Sequence, residues 1–156
     1  MKIKSCFFIG HRDSPYTIYP KICDIIERLT ADEHVYSYTV GHYGSFDNMV
    51  FQAIKNLKER NGLIHASLLI PYHPGEKPIE VPDVFDSTFY PPDMEKIPRR
   101  LAIVRANHYM VDNTDYLVAY AWHPGSNARE LLSYARSREK RGLIHVIEIE
   151  KPDTMV

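Results

Sequence analysis

Short apolar runs alternate regularly along this chain with segments of helical periodicity, and this alternation leaves few folds open to it. The apolar runs fall at residues 3–9, 35–40, 63–70, 116–122 and 143–149. Apolar residues recur at the spacing of amphipathic helices within residues 18–29, 46–57, 99–111 and 127–138. Apolar strands that alternate with helices predict a parallel sheet covered by helices on both faces.

The predicted fold class is therefore α/β, a Rossmann-like three-layer sandwich with a five-stranded, mainly parallel sheet. Right-handed crossovers leave few topologies, and among them the strand order 3-2-1-4-5 is favoured. Ligands bind such a sheet at the carboxyl ends of its strands, where the strand order reverses. We expect this point between the first and the fourth predicted strands.

A proline-rich segment at residues 71–98 interrupts the alternation, since it holds seven of the eleven prolines. Loops of this length in compact domains are usually functional or disordered. Its aromatic residues, among them Tyr72 and Phe85, indicate that it folds onto the body of the protein. We expect it to form a partial lid over the carboxyl edge or a contact in a homo-oligomer. The whole chain, 1–156, is expected to form one domain with a tail at 150–156.

Charge and composition narrow the expected partners. The formal net charge of -1 creates no overall attraction to nucleic acid or to acidic membranes. The apolar run near the N-terminus, Cys6 to Ile9, is too short for a signal peptide, and no stretch approaches the roughly 18–20 apolar residues of a membrane span. Cys6 and Cys23 form no CxxC pair and are predicted to be buried free thiols, which agrees with a cytoplasmic location. The histidines show no metal-ligand spacing, so no metal is predicted, and the cofactor is left unassigned.

Four of the seven glycines fall just after the first, second and fourth predicted strands, namely Gly10, Gly41, Gly44 and Gly125. Glycine lets a backbone approach a ligand closely and adopt positive φ. Tight turns from strand to helix require glycine for the same reason, so a purely structural role is the alternative. Because all four fall at the same edge of the predicted sheet, we interpret them as ligand-binding candidates.

The loop after the first strand begins Gly10-His11-Arg12. A cation and an imidazole at the point where the strand order reverses suit an anionic or hydroxylated ligand. His11 and Arg12 are therefore candidate ligand-binding residues. The alternative is a surface loop in which Arg12 pairs with Asp13 or another neighbour.

The loop after the second strand leads into the best amphipathic helix of the chain. Ser45 is predicted to be its N-cap, and the free N–H groups of the first turn would then form an anion site. Asp47 lies in this first turn, where it could accept a hydrogen bond from a ribose hydroxyl. A favourable interaction of Asp47 with the helix dipole is the alternative, and it needs no ligand.

The loop after the fourth strand also opens a helix. Gly125, Ser126 and Asn127 could receive a phosphate at the helix N-terminus, and Trp122 could stack on a base. Glu130 is the candidate catalytic residue of this loop. The spacing of Asn127 and Glu130 also fits a capping box, in which Glu130 only stabilises the helix.

The third helical segment contributes two further binding candidates, Arg105 and Asn107. Its buried stripe is predicted to consist of Leu101, Val104, His108 and Val111. Because this helix is amphipathic and lies beside the sheet, we expect some of its polar side chains to face the crevice. The alternative is that the basic residues form a solvated face.

Three segments in order carry a family resemblance. The first is CFFIGHR at residues 6–12, which resembles the C-F-x-G-H-R opening of the SLOG superfamily, the Rossmann-like group that contains DNA-processing protein (Smf) and the Lonely Guy enzymes. The second is GHYGSFD at residues 41–47, which resembles the G-x-x-G-x-F-D segment of a branch similar to the YpsA-like proteins. The third, residues 105–120, resembles the R-N-x-W-M-x-x-x-S-D-x-x-I-A-Y of that branch. Together the resemblance spans residues 3–149.

The resemblance implies a Rossmann-like fold and a site for nucleotide derivatives. Lonely Guy enzymes carry a P-G-G-x-G-T-x-x-E motif whose glutamate serves the cleavage of an N-glycosidic bond. Here Pro124, Gly125 and Glu130 remain with a shorter spacing, and Ser126-Asn127-Ala128 replaces the glycine pair. Arg105 and Asn107 are separated by one residue where relatives have an adjacent Arg-Asn.

Three functions are compatible with this sequence. The first is the binding or sensing of a nucleotide derivative without strong catalysis, which makes a nucleotide-like small molecule the expected partner. The second is a phosphoribohydrolase-like N-glycosidase acting on nucleoside monophosphates, with Glu130 as general acid or base and Arg12, Arg105 and Ser126 holding the phosphate. The third is single-stranded DNA binding, against which the neutral net charge argues.

Overall fold

The computed structural model describes residues 3–152, so residues 153–156 of the predicted tail lie outside it. This range contains six strands: β1 (Ser5–Gly10), β2 (Ser37–Val40), β3 (His65–Leu69), β4 (Ser87–Phe89), β5 (Tyr116–Tyr120) and β6 (His145–Glu148). It also contains four α-helices: α1 (Tyr19–Glu33), α2 (Ser45–Arg60), α3 (Ala102–Asp112) and α4 (Asn127–Lys140). None of the helices within residues 3–152 combines the length and the apolar character that a bilayer crossing requires.

The strands form one sheet in the order β4-β3-β2-β1-β5-β6, and every neighbouring pair is parallel. This confirms the three-layer Rossmann-like class. The five predicted strands keep their predicted order, with β3-β2-β1 on one side and β5-β6 on the other. The order therefore reverses between β1 and β5, as the sequence indicated.

The predicted strand count was wrong, because the proline-rich segment supplies a sixth strand at the sheet edge. The segment pairs with β3, so that Leu68 lies opposite Thr88, and the Asp86 N–H donates to the Ala66 carbonyl at 2.8 Å. Three residues with the sequence Ser-Thr-Phe show neither an apolar run nor an alternation that could be recognised. Pairing with an already formed edge stabilises the strand, and only the tertiary structure brings the two segments together.

Helices cover both faces of the sheet, as the apolar strands require. Phe8 packs in the cluster under α1 and α2, whereas its neighbour Phe7 packs in the cluster under α3 and α4. Successive side chains of a strand point to opposite faces, so an entirely apolar strand such as β5 serves both clusters. Of the two cysteines, Cys6 is buried as predicted, but Cys23 is only half-buried.

The buried stripe of α3 differs from the prediction. Leu101 is 47% exposed and Val104 is 41% exposed, while Ala102 and Ala106 face the sheet. Leu101 belongs to a short 3₁₀ turn, Arg99–Leu101, that precedes the helix. Because a 3₁₀ turn has fewer residues per turn than an α-helix, Leu101 does not continue the helical spacing of Val104, His108 and Val111.

Candidate ligand-binding site

A cavity of about 570 Å³ opens at the carboxyl edge of the sheet, where the strand order reverses between β1 and β5. Its wall is formed by the ends of these strands, the loops that follow β1, β2 and β5, and part of α3. Ten of the predicted site residues line it: Gly10, His11, Arg12, Gly41, Asp47, Asn107, Trp122, Gly125, Ser126 and Asn127.

The remaining predicted residues lie elsewhere. Gly44 and Ser45 line a neighbouring cavity of about 510 Å³. Arg105 and Glu130 are exposed and do not contribute to the wall of the first cavity. The candidate catalytic carboxylate is therefore not brought to this cavity, whose carboxylates come from Asp13 and Asp47 instead.

The loop after β1 is fixed to the start of α2. The Ser45 N–H donates to the Arg12 carbonyl at 2.7 Å, and the Ser45 hydroxyl lies 2.8 Å from the same carbonyl and 2.9 Å from that of Ser14. Ser45 is the first residue of α2, and Gly44 occupies the N-cap position without a side-chain cap. The prediction of Ser45 as N-cap was wrong because its hydroxyl is engaged by the neighbouring loop.

Arg12 presents a cation to this site. Its backbone is held by Ser45, whereas its side chain is exposed at the cavity wall. Within residues 3–152 it forms no ion pair, neither with Asp13 nor with another carboxylate. An arginine held at its backbone, with its guanidinium exposed at a cavity, is suited to binding an anionic group in the bidentate manner.

His11 links the loops after β1 and β5. Its Nε2 accepts the His123 backbone N–H at 3.1 Å, and its ring makes edge contacts with Tyr120 and Trp122 at centroid distances of 5.7 and 5.6 Å. Burial, together with the nearby His123, lowers the pKa of His11 against an opposing effect of Asp13. A ring nitrogen that accepts a hydrogen bond carries no proton, so His11 positions the loops as a neutral imidazole.

Trp122 lies at the rim of the same cavity. The Lys151 ammonium is placed over its ring, 4.1 Å from the centroid. This contact covers one face of the indole, so a base could stack only on the other face. It also brings residue 151, which was predicted to belong to a tail, against the candidate site.

The N-terminus of α4 faces the cavity. Ser126 is the N-cap, since its Oγ accepts the Arg129 N–H at 3.1 Å, and the positive φ of Gly125, 77°, turns the chain into the helix. The capping box predicted between Asn127 and Glu130 is therefore replaced by this Ser126 cap. The first N–H groups of a helix have no partner inside it, and Asn127 and Ala128, which carry them, line the cavity.

Asp47 is a half-buried carboxyl on the wall of the cavity. Its Oδ2 accepts the Tyr43 N–H at 3.1 Å. The same oxygen lies 2.9 Å from where a side chain on Gly41 would begin, which explains the glycine there. Burial raises the pKa of Asp47 to about 7, although the Tyr43 N–H lowers it in part. This carboxyl is thus able to donate or to accept a hydrogen bond near neutral pH.

This raised pKa predicts a pH-dependent stability. Because the pKa is about 7 in the folded state against an ordinary value of 3.8, the carboxyl favours the folded state most at low pH. That contribution is lost as the pH rises from about 4 to about 7. We expect Asp47→Asn to be more stable relative to the unaltered protein at pH 8 than at pH 5, as measured by urea unfolding. The other titrating groups contribute equally to the two proteins and cancel when their free energies of unfolding are subtracted. A difference that does not change with pH would contradict the raised pKa of Asp47.

Several wall residues were not found from the sequence. Tyr43 lies between two predicted glycines, and the family-like motif at residues 41–47 is the signal that could have included it. Val104 was assigned to the buried stripe of its helix, and it lines the cavity instead. Pro71 is the part of the proline-rich segment that reaches this cavity.

Comparison with known proteins identifies a structure with a similar fold but gives no family assignment by sequence. No protein-family model matches the chain, and no curated protein is similar to it in sequence. Its structure is similar to the X-ray structure of DNA processing protein A (DprA) from Streptococcus pneumoniae, with a TM-score of 0.67 and 13% sequence identity. The match covers 99% of this chain and 52% of that one, so the chain spans about half the length of its neighbour.

This likeness shows the Rossmann-like fold that the resemblance to the SLOG superfamily implies. The YpsA-like branch and the relation to Lonely Guy enzymes stay predictions. The expectation that nucleic acid is not a partner gains no support from a neighbour that processes DNA.

Proposed function

We propose that this chain is a cytoplasmic binding domain for a nucleotide derivative. The observation that carries the proposal is that Arg12, an exposed arginine without an ion pair among residues 3–152, and the N-terminus of α4 line one cavity. A cation and a positive helix end favour a phosphate group, and the aromatic rim at Trp122 suits a base. The volume of about 570 Å³ lies in the range of sites for small molecules and cofactors.

The direct test is to identify what the purified protein carries. Freshly purified protein is denatured, and the released small molecules are analysed by mass spectrometry. We expect a compound that contains both a phosphate and a nucleobase, in an amount that falls in Arg12→Ala. If the native protein releases no such compound and shows no heat of binding with nucleoside mono- and diphosphates in calorimetry, the proposal is wrong.

Single-stranded DNA binding is the second candidate, favoured by the shared fold with a protein named for DNA processing. Arg99, Arg100 and Arg105 are exposed at the start of α3, where they could contact phosphates. If DNA binds there, the fluorescence anisotropy of a labelled oligonucleotide will show an affinity that falls steeply between about 50 and 200 mM salt. It will also fall in Arg99→Ala and Arg105→Ala, whereas no binding at low salt would exclude this candidate.

For the glycosidase alternative we expect a negative result. Glu130 lies outside the cavity wall, so its carboxyl is not placed beside a ligand held by Arg12. Incubation with a panel of nucleoside monophosphates should release no free base above a blank without protein. Release that disappears in Glu130→Gln, with the fold intact by circular dichroism, would establish the enzyme instead.

A further inference from the structure

A second cavity, of about 510 Å³, adjoins the first, and the two share Gly41 and Asp47 in their walls. Its other walls are α2 with the loop before it, the end of β3, and the proline-rich segment. The shared residues are Gly41 and Asp47, and the Asp47 carboxyl, which fills the space beside Gly41, can both donate and accept hydrogen bonds. A ligand in the first cavity that contacts Asp47 therefore reaches the boundary of the second.

The chemistry of the second cavity differs from that of the first. The rings of Phe51 and Phe85 lie 5.5 Å apart at 44°, and Leu68 and Ile79 add further apolar surface. Among residues 3–152, no lysine or arginine contributes to the lining, which instead contains the carboxyls of Asp47 and Glu80. Such a cavity disfavours a phosphate and favours a flat apolar group that is neutral or cationic.

The wall that the proline-rich segment contributes is held in place. The Lys58 ammonium on α2 lies 2.6 Å from the Val84 carbonyl and 2.6 Å from Asp86 Oδ2. Asp86 also accepts the Ala66 N–H at 2.9 Å. These contacts on either side of Phe85 fix its ring against α2, so the cavity has a defined shape.

We propose that the second cavity binds an aromatic ring, neutral or cationic, of the same ligand whose phosphate lies in the first cavity. The ligand is then a nucleotide derivative with a second ring joined through its phosphate, and Asp47 contacts the linking sugar. This inference rests on the proposed function, because it assumes that a phosphate occupies the first cavity. It assigns to the proline-rich segment a part in ligand selection.

The experiment compares two probes that differ only in the ring. NAD⁺ consists of ADP-ribose extended by a cationic nicotinamide, and both are titrated into the protein in a calorimeter. We expect NAD⁺ to bind at least tenfold more tightly than ADP-ribose. Diadenosine diphosphate, which carries a neutral adenine in place of the nicotinamide, should show the same preference over ADP-ribose.

Two variants test whether the difference in affinity between the two-ring compounds and ADP-ribose arises in the second cavity. Phe85→Ala and Ile79→Ala should each reduce the affinity for the two-ring compounds to that for ADP-ribose, which should itself be unchanged. Ile79 lines the cavity without belonging to the buried core, so its variant remains informative if Phe85→Ala does not fold. Ile97→Ala is the matched control, since Ile97 belongs to the same segment but packs against the cluster under α3 and α4.

The outcomes separate the two proposals. Equal affinities for NAD⁺, diadenosine diphosphate and ADP-ribose, with nucleotide binding intact, would overturn the second cavity as a ring site and leave the proposed function standing. A preference for the two-ring compounds that survives in both cavity variants would also overturn it. Failure of every probe, AMP included, to bind would reject the proposed function together with this inference.

Discussion

Replacement of Arg12 by alanine is expected to weaken the binding of AMP, or of the nucleotide that copurifies, by more than tenfold. Arg12 lines the cavity and its guanidinium has no ion-pair partner within residues 3–152, so its loss should remove a contact to the ligand and disturb no internal pair. A charge-assisted hydrogen bond contributes about 1.5–3 kcal/mol, and tenfold corresponds to about 1.4 kcal/mol. Calorimetric titration measures the change directly.

The stability of this variant should remain close to that of the unaltered protein, because Ser45 binds the Arg12 backbone and not its side chain. Arg105→Ala is the matched control: it removes an exposed arginine that lies outside the cavity, and the affinity should not change. Arg12→Lys should retain the charge but lose bidentate geometry, giving an intermediate affinity. Equal binding by Arg12→Ala and the unaltered protein would show that Arg12 is only a surface charge.

Replacement of Gly44 by alanine should lower the stability of the protein more than any other substitution named above. Gly44 has a φ of 113°, and a Cβ atom there would lie 2.6 Å from the Arg12 Cα. The unfavourable backbone conformation costs about 1–3 kcal/mol, and the overlap with the neighbouring loop adds about 1–3 kcal/mol. Each kcal/mol lowers the melting temperature of a domain of this size by roughly 2–4 °C, so we expect a fall of more than about 5 °C.

Gly62→Ala provides the control for this prediction. Gly62 lies in the loop between α2 and β3, and its φ lies outside the left-handed region. A Cβ atom at this position would have no heavy atom of the described residues within 4 Å. The substitution should be neutral, or should stabilise by about 0.4–1 kcal/mol through the unfolded chain. If thermal unfolding shows that Gly44→Ala is as stable as Gly62→Ala, the loops after β1 and β2 do not meet as described.

The location of the candidate site could be predicted from the sequence to a large extent. Gly10, Gly41, Gly44 and Gly125 were recognisable because they follow apolar runs, and the strand order placed them at one edge. The reason why glycine is required at each position could not be predicted, because it depends on side chains that lie outside the turn. The ring of Phe46 occupies the space beside Gly10, and the Asp47 carboxyl occupies that beside Gly41.

The side chains that face the cavity were less predictable. Glu130 and Arg105 had the residue types that a phosphate or glycosidic site requires, but a shift of one residue along a helix turns a side chain by about 100°. Val104 and Val111 lie on the same face of α3, because seven residues make almost two turns. Val111 is nevertheless buried, whereas Val104, near the start of the helix, lines the cavity. Periodicity predicts the face of a helix, but not which part of that face meets the core and which part meets a cavity.

The layers, the parallel sheet and the point where the strand order reverses were predictable from the amino-acid sequence, because they follow from local periodicity and from the handedness of crossovers. Three other features come from the packing of distant segments. Residues 87–89 become β4, burial raises the pKa of Asp47 to about 7, and two cavities share this residue in their walls. Edge pairing, desolvation and shape arise between segments far apart in the chain. They therefore depend on the packed arrangement and leave no pattern in any single segment.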